Sequence, residues 1–350
     1  MSVDQYFTPE NQSLVKTYLT QEIYDSLKGV KTKDVGYDVD IAIQTCKDNQ
    51  DSGVGIYAGD EDSYFALAPI FDPIIDAYHG GYSKDAKHKS DMDPSHLKGS
   101  EEKVDDFVIS TRIRVGRNIR GYGLSPGISR EQRSELEKLL TNALTKLTGD
   151  LSGKYFPLLG MSETDRIKLV EDHFLFKKGD RFLESCGANR DWPEGRGIFH
   201  NDKKTFLVWI NEEDQLRIIS MQSGGDFVEI FDRLGRGIKA IEASIKATAD
   251  KVYMFNDHHG FIHSCPTNLG TGMRASVHIK LPKLSADKDK FYKTCADLKL
   301  QPRGVHGEHS ESKGGIYDVS NKHRIGYTEV ELVQTLIDGV SKLIALEKAL

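Results

Sequence analysis

The sequence predicts an α+β protein, with a small all-helical N-terminal domain over residues 1–98 and a larger domain of strands and helices over residues 99–350. Three observations lead there. Apolar residues near the start recur at helical spacing (Leu14, Tyr18, Leu19, Ile23, Leu27). Residues 80–106 are rich in Gly, Lys and Asp with hardly an aliphatic, which marks a long connection and places the boundary close to Gly99. Beyond it, strand-like runs alternate with amphipathic helices, and two of those runs are joined tightly enough to form an antiparallel hairpin.

Composition narrows the function. A chain of 350 residues that is 38% hydrophobic and 29% charged reads as a soluble globular protein, and no apolar run is long enough to span a bilayer. The first residues show neither a basic leader nor an apolar core. Four cysteines without a CxxC pair suit the reducing cytoplasm. A net charge of −6 speaks against a nucleic-acid coat, so any arginine cluster must be local.

In chain order, Thr8-Pro9-Glu10 reads as a helix start, with a hydroxyl cap, a first-turn proline and an acid near the dipole. That helix runs to about Lys28, and residues 36–48 and 64–78 read as two more. Between them Ser52-Gly53-Val54-Gly55-Ile56-Tyr57 is a glycine loop whose bare backbone suits a small polar group; a plain turn is the alternative. Phe107 opens a strand on which alternation sends Arg112 and Arg114 to one face, beside Ser110 and Thr111. Residues 130–147 form an amphipathic helix. His173 stands among aromatics, as a core or surface histidine or as a stack for a purine. Residues 205–210 are almost wholly apolar and therefore buried on both faces, and 216–220 return as the second hairpin strand. The tip between them carries Glu212, Glu213 and Asp214 just before Arg217. A long helix covers 226–247.

The stretch from Phe261 to Val277 concentrates the chemistry. Pro266 stiffens the turn that holds Cys265, and the Thr267 hydroxyl within reach of the sulfur favours the thiolate. Gly270 and Gly272 let backbone approach a ligand, and Arg274 opens an alternating strand. A helix near 285–298 follows, then a glycine-rich charged segment from Arg303 to Gly315 that holds Glu308 and reads as a closing flap. The last helix spans about 328–347.

Arg112, Arg114, Arg217, Arg274 and Arg303 lie on four segments, and if they converge they form a nest for a phosphate chain. Neither a P-loop nor a protein-kinase signature is present. Glu213, Glu308 and Cys265 supply the opposite charge and suit a flat cation such as a guanidinium. Together the two halves read as phosphoryl transfer to nitrogen, which depends on alignment and electrostatics more than on covalent help.

Four motifs, STRIRVGR (110–117), NEED with a trailing LR (211–217), CPTNLGTGMR (265–274) and RGVHGEH (303–309), resemble those of the guanidino (phosphagen) kinases, over nearly the whole chain. The resemblance implies a helical N-terminal domain, a larger domain with an antiparallel sheet flanked by helices, and reversible phosphate transfer between MgATP and a small guanidino substrate. By that resemblance Arg112, Arg114, Arg217, Arg274 and Arg303 hold the nucleotide phosphates with Ser110 and Ser276 close by, while His173 and His278 border adenine and ribose near Asp318. Glu213, Glu308, Cys265 and Arg274 are the expected catalytic groups, with Cys265 a thiolate against the guanidinium. Magnesium is expected on phosphate oxygens and water, with no protein metal site.

The loop at 52–64 resembles that of members acting on L-arginine, so Ser52, Gly53, Val54, Gly55 and Tyr57 are expected to receive that substrate. Creatine, taurocyamine and glycocyamine are the alternative substrates, and an inactive nucleotide-binding module is the alternative to an enzyme. Residues 71–82 and 328–334 resemble the dimeric creatine kinases, which makes a homodimer the expected assembly. The chain departs from the family pattern at Gln215, where many members have histidine, at Gly59, where proline is frequent, and at Gly272, where threonine is.

Overall fold

The computed structural model describes residues 2–304 and 314–350. The N-terminal part contains α1 (Leu14–Tyr18), α2 (Gln21–Leu27), α3 (Val39–Ala42), α4 (Gln44–Asp48), α5 (Ser63–Ala66) and α6 (Ala68–His79). Ser13, rather than Thr8, starts the first helix, its hydroxyl accepting from the Lys16 amide. The Lys16 ammonium binds back to the carbonyls of Thr8 and Pro9, at 2.9 Å each, which holds residues 8–10 as a turn. A second hydroxyl cap at Thr20 restarts the chain and splits the expected helix in two. Tyr64, Ile70, Phe71 and Ile74 are buried here together with Leu124, Ile262, Leu269 and Ile325 from later in the chain, so this core is shared.

The rest is built on ten strands and six helices among the described residues: β1 (Val108–Arg117), α7 (Arg130–Leu144), β2 (Gly153–Pro157), α8 (Glu163–Glu171), α9 (Arg181–Ser185), β3 (Gly197–Asn201), β4 (Phe206–Ile210), β5 (Leu216–Ser223), α10 (Phe227–Ala249), β6 (Phe255–Asn256), β7 (Gly260–Phe261), β8 (Met273–Lys280), α11 (Lys288–Asp297), β9 (Leu300–Arg303), β10 (Ile316–Asn321) and α12 (Glu329–Ala349). Eight strands form one sheet in the order β2-β3-β4-β5-β1-β8-β10-β9, and every pairing is antiparallel. The pair β6-β7 stands apart.

Period-two alternation divides the work of the sheet. On one face Ile113, Val115, Val208, Ile218, Ala275 and Val277 pack against Leu140 of α7, Ile230 and Phe231 of α10, and Leu336 and Val340 of α12. On the other face Leu207, Trp209 and Ile219 are covered by Leu158, Leu175 and Phe176. Over β1 and β8 that second face carries Arg112, Arg114 and Arg274 instead.

Residues 80–106 are an ordered strap. The His88 amide donates to the Asp257 carbonyl at 2.7 Å, and the Lys98 amide to Gln334 Oε1 at 2.7 Å. Glu329, at the first turn of α12, accepts from the Asp91 amide at 2.9 Å and the Ser90 hydroxyl at 3.0 Å. The same carboxylate lies 3.7 Å from the Arg117 guanidinium, and both side chains are buried. Arg117 also donates to the Gly116 and Thr271 carbonyls and sits 3.4 Å from the centre of the Phe261 ring. Removing Glu329 leaves a buried cation without its counter-charge. The Glu329→Ala variant should lose roughly 3–5 kcal/mol of stability in urea unfolding; a loss under about 1 kcal/mol would mean the pair does not hold the strap.

Candidate active site

Strand register assembles the cationic half. Across β1 and β8, Ser110 lies opposite His278, Arg112 opposite Ser276 and Arg114 opposite Arg274. On β10, Asp318 pairs in register with His278 on one side and with Arg303 of β9 on the other. Across β1 and β5, Gly116 faces Arg217. Ser110, Arg112, His173, Arg274, Ser276, His278 and Asp318 line one cleft of about 600 Å³. Arg114, Arg217 and Arg274 line a smaller cavity that adjoins it through Arg274. The residues named from the sequence for the nucleotide therefore come together.

Trp209 was not singled out by the sequence reading and proves central. Its ring lies 5.4 Å from the Arg112 guanidinium and 5.7 Å from that of Arg217. Its Nε1 donates to the Phe174 carbonyl at 2.7 Å, which fixes the segment bearing His173 beside the cleft.

The crowding is electrostatically expensive. Burial pushes the Arg112 guanidinium down to about 10, with Arg274 and Arg217 adding repulsion. Burial lowers Arg114 as well, with Arg217, Arg112 and Arg274 adding repulsion. Arg274 finds partial relief in Asp318 at 2.9 Å. The Nε atoms of Arg112 and Arg274 are buried with no hydrogen-bond acceptor among the described residues. A polyanion would supply what these groups lack.

The acidic half is the turn between β4 and β5. Arg217 reaches Glu212 at 2.8 Å and Glu213 at 3.2 Å, and Asn268 donates to Glu213 at 3.4 Å. Burial raises the Glu213 carboxyl, and Asp214 and Glu212 add to the rise against the pull of Arg217. Its neighbour Asp214 goes the other way. Burial opposes ionisation there too, but His263 at 2.8 Å, Asn118 at 2.8 Å and the Ser264 amide at 3.1 Å outweigh it.

Cys265 opens the short turn over Pro266–Asn268, with its sulfur 3.1 Å from the Thr267 hydroxyl. Without a cation beside it, burial and the nearby Glu213 push the Cys265 thiol up to about 12, against the opposing pull of the Thr267 bonds. Two neighbouring anions are unfavourable until a cation lies between them. The glycines that follow also serve a different purpose from the one expected. A Cβ at Gly270 would meet the Ile325 backbone at 2.4 Å, and one at Gly272 would meet the His263 ring at 2.3 Å, so both sites answer to packing rather than to ligand approach.

The 52–57 loop is fastened to this region. Its Gly53 and Val54 carbonyls accept from the Leu14 and Val15 amides, and the Ala58 amide donates to the Ser264 carbonyl at 2.8 Å. The Tyr64 hydroxyl donates to the His263 carbonyl at 2.8 Å. Burial raises the Tyr57 pKa, and the charges of Cys265 and Glu213 add to the rise. Ser52 is buried, with its hydroxyl toward the Thr45 carbonyl at 3.5 Å. Arg324 is an unforeseen sixth arginine: it lines the smaller cavity and donates to the Thr267 carbonyl at 3.2 Å. Glu308 lies outside the described residues. Among those described, no three His, Cys, Asp or Glu side chains cluster as a metal cage, and no helix is long and apolar enough to cross a membrane.

Comparison with known proteins gives a concordant picture. The family model described as ATP:guanido phosphotransferase, C-terminal catalytic domain, matches residues 135–350, and the corresponding N-terminal domain model matches residues 9–76. An arginine kinase of Anthopleura japonica is 51% identical over 97% of this chain, which spans only 47% of that relative's length. Arginine kinase 1 of Drosophila melanogaster is 48% identical over 97% of this chain and 94% of its own. Among solved structures, a lombricine kinase superposes with a TM-score of 0.93 at 43% identity, covering 97% of this chain and 93% of that one. The substrate-free duplicated taurocyamine kinase of Schistosoma mansoni gives 0.90 at 41% identity, covering 99% of this chain and 49% of that one. With both domain models matched and near-full-length relatives at this identity, the chain belongs to the ATP:guanido phosphotransferase (phosphagen kinase) family.

Proposed function

We propose that this chain transfers the γ-phosphoryl group of MgATP reversibly to the guanidino nitrogen of L-arginine, giving phosphoarginine and ADP. One observation carries the reading: the arginine-bearing strand face and the Glu213–Cys265 turns meet at one small cavity, where Arg114, Arg217 and Arg274 stand with Asn268, which itself binds Glu213. The arginine kinases among the relatives support L-arginine as the acceptor.

In this reading the nucleotide phosphates lie on Arg112, Arg114, Arg217, Arg274 and Arg303, with Ser110 and Ser276 beneath them and the base near His173 and His278. Magnesium arrives with the nucleotide on phosphate oxygens and water, and neutralises charge on the phosphate chain. Glu213 takes the substrate guanidinium, and Cys265 contacts its non-reacting side. That cation offsets the burial and the neighbouring negative charge that raise both groups in the empty site, and so draws each toward its anionic form. The 52–57 loop and Tyr57 receive the amino-acid end. Glu308, placed by resemblance alone, is the second carboxylate and helps draw off the proton as nitrogen attacks phosphorus and the bond to the ADP oxygen breaks. Alignment of this kind contributes roughly 7–11 kcal/mol to lowering the barrier.

We place the domain division near Gly99: the N-terminal share of the first buried core ends at Tyr82, although Leu124, Met254, Ile262, Leu269 and Ile325 join it from later in the chain, and the main core begins at Val108 with Met92 and Leu97 packed on it. The protein is taken to act in the cytoplasm as a homodimer.

Coupled measurement of ATP consumption should show turnover with L-arginine and little with creatine at equal concentration; preference for creatine, taurocyamine or glycocyamine would overturn the substrate assignment. Arg274→Ala should lower kcat by roughly 10²- to 10³-fold while nucleotide affinity changes far less; unchanged turnover would remove Arg274 from the site. Because burial raises Glu213, kcat/KM for L-arginine should fall as pH drops through a value above the usual carboxylate pKa of about 4.3. The Glu213→Gln variant should lose this acid limb, and a limb that persists would assign it elsewhere.

A further inference from the structure

The reaction as described leaves one buried pair unused. His263 and Asp214 are 0% and 1% exposed, and His263 Nδ1 lies 2.8 Å from Asp214 Oδ2. Asp214 also accepts from Asn118 and from the Ser264 amide, so it is held as an acceptor-only carboxylate. Nδ1 must then carry a proton, and Nε2 is the ring nitrogen left over, the acceptor in the Nδ1–H tautomer. That Nε2 is buried and meets no partner among the described residues.

The direction in which it points is set by two glycines. A Cβ at Gly272 would sit 2.3 Å from Nε2, and one at Gly116 would sit 2.6 Å from Cε1. The ring itself fills the space those missing atoms leave, and it forms part of the wall of the small cavity lined also by Arg114, Arg217, Arg274 and Arg324. That cavity offers about 10 Å³ to the centre of a water molecule, enough for one water at most. A buried unsatisfied acceptor facing guanidinium donors is costly unless a donor arrives at some stage of the cycle.

Arg217 is the donor with reason to arrive. It lies opposite Gly116 across β1 and β5, and in the empty site its guanidinium is shared between Glu212 and Glu213. A substrate guanidinium competes for Glu213, and an Arg217 N–H then loses its acceptor. We propose that His263 is a positioning residue whose Nε2 takes over that Arg217 N–H when the guanidino substrate occupies Glu213. The exchange would keep Arg217 aimed at the phosphates while Glu213 is handed to the substrate. No covalent step is involved, and the idea rests on the phosphoryl-transfer reading above.

The test separates this role from mere support of the fold. Asparagine at 263 can still donate to Asp214 but lacks an acceptor at the Nε2 position. His263→Asn should raise KM for L-arginine by roughly tenfold, the effect of one hydrogen bond to a charged group. KM for MgATP should stay within about twofold and the melting temperature should be unchanged. An unaltered KM for L-arginine in the folded variant would overturn the proposal. In the wild-type protein, ¹⁵N NMR of the His263 ring, assigned by correlation to its own backbone resonances, should show Nδ1–H and an unbonded Nε2. Addition of L-arginine should then move the Nε2 resonance to hydrogen-bonded values, and a resonance that does not move would overturn the proposal even if the variant fails to fold. Should the wild type turn over another guanidine in place of L-arginine, the substrate assignment fails, and the same comparisons with that guanidine decide the role of His263 independently.

Discussion

The pairing of β1 between β5 and β8 is the constraint on which everything else turns. It sends Arg112 and Arg114 to the face shared with Arg274 and brings Arg217 level with Gly116. The same alternation sends Ile113 and Val115 into the core against the helices. A one-residue slip would exchange the two faces and bury the cations in that core. The apolar back of the sheet thus holds like charges together that would separate if left free. Glu212 and Asp318 offset only part of what burial and the neighbouring cations cost these arginines, so Arg112 and Arg114 keep lowered pKa values. A site built in this way binds a polyanion with little reorganisation, because the fold has already met the cost of assembling its donors.

Adjacent carboxylates at the acid turn illustrate how environment overrides chemistry. Glu213 and Asp214 are neighbours in sequence, yet one is raised and the other lowered. Asp214 collects an imidazole, an amide side chain and a backbone amide, and becomes a fixed structural anion. Glu213 has the shared Arg217 and a long contact to Asn268, so its capacity to accept remains available for a ligand. Divergent pKa values in neighbouring acids mark the one that is free to exchange partners.

Much of this could be read from the sequence where periodicity is strong. The alternation in β1 and β8, the β4–β5 hairpin and the long helices α7, α10 and α12 follow from local pattern, and the arginines could be counted. The misses share a physical cause. β2 and β3 are short, and β2 carries Gly153, Lys154 and Pro157, so its pairing is decided by the neighbouring strand and not by its own text. The helix starts at Ser13, five residues beyond Thr8, because the Ser13 hydroxyl caps the Lys16 amide there while the Lys16 ammonium holds the Thr8 and Pro9 carbonyls. Trp209, Arg324 and His263 lack a local signature, since each is defined by a partner far away; His263 and Asp214 are separated by 49 residues.

The same logic accounts for the positions at which the chain departs from its family's pattern. Gln215 does not face the cleft: its side-chain carbonyl accepts from the Ile119 amide at 2.7 Å and its amide donates to the Gly123 carbonyl at 2.9 Å. It therefore braces the chain just after β1. Gly59 leaves room for the Tyr37 ring, which a Cβ would approach to 2.2 Å. Gly272 leaves room for His263 in the same way, so a threonine there and a histidine at 263 exclude each other sterically. Each departure is explained by the residue packed against it. Substitutions that look arbitrary along the chain are, in space, halves of a fitted pair, and reverting one half alone would introduce a clash where the family pattern has none.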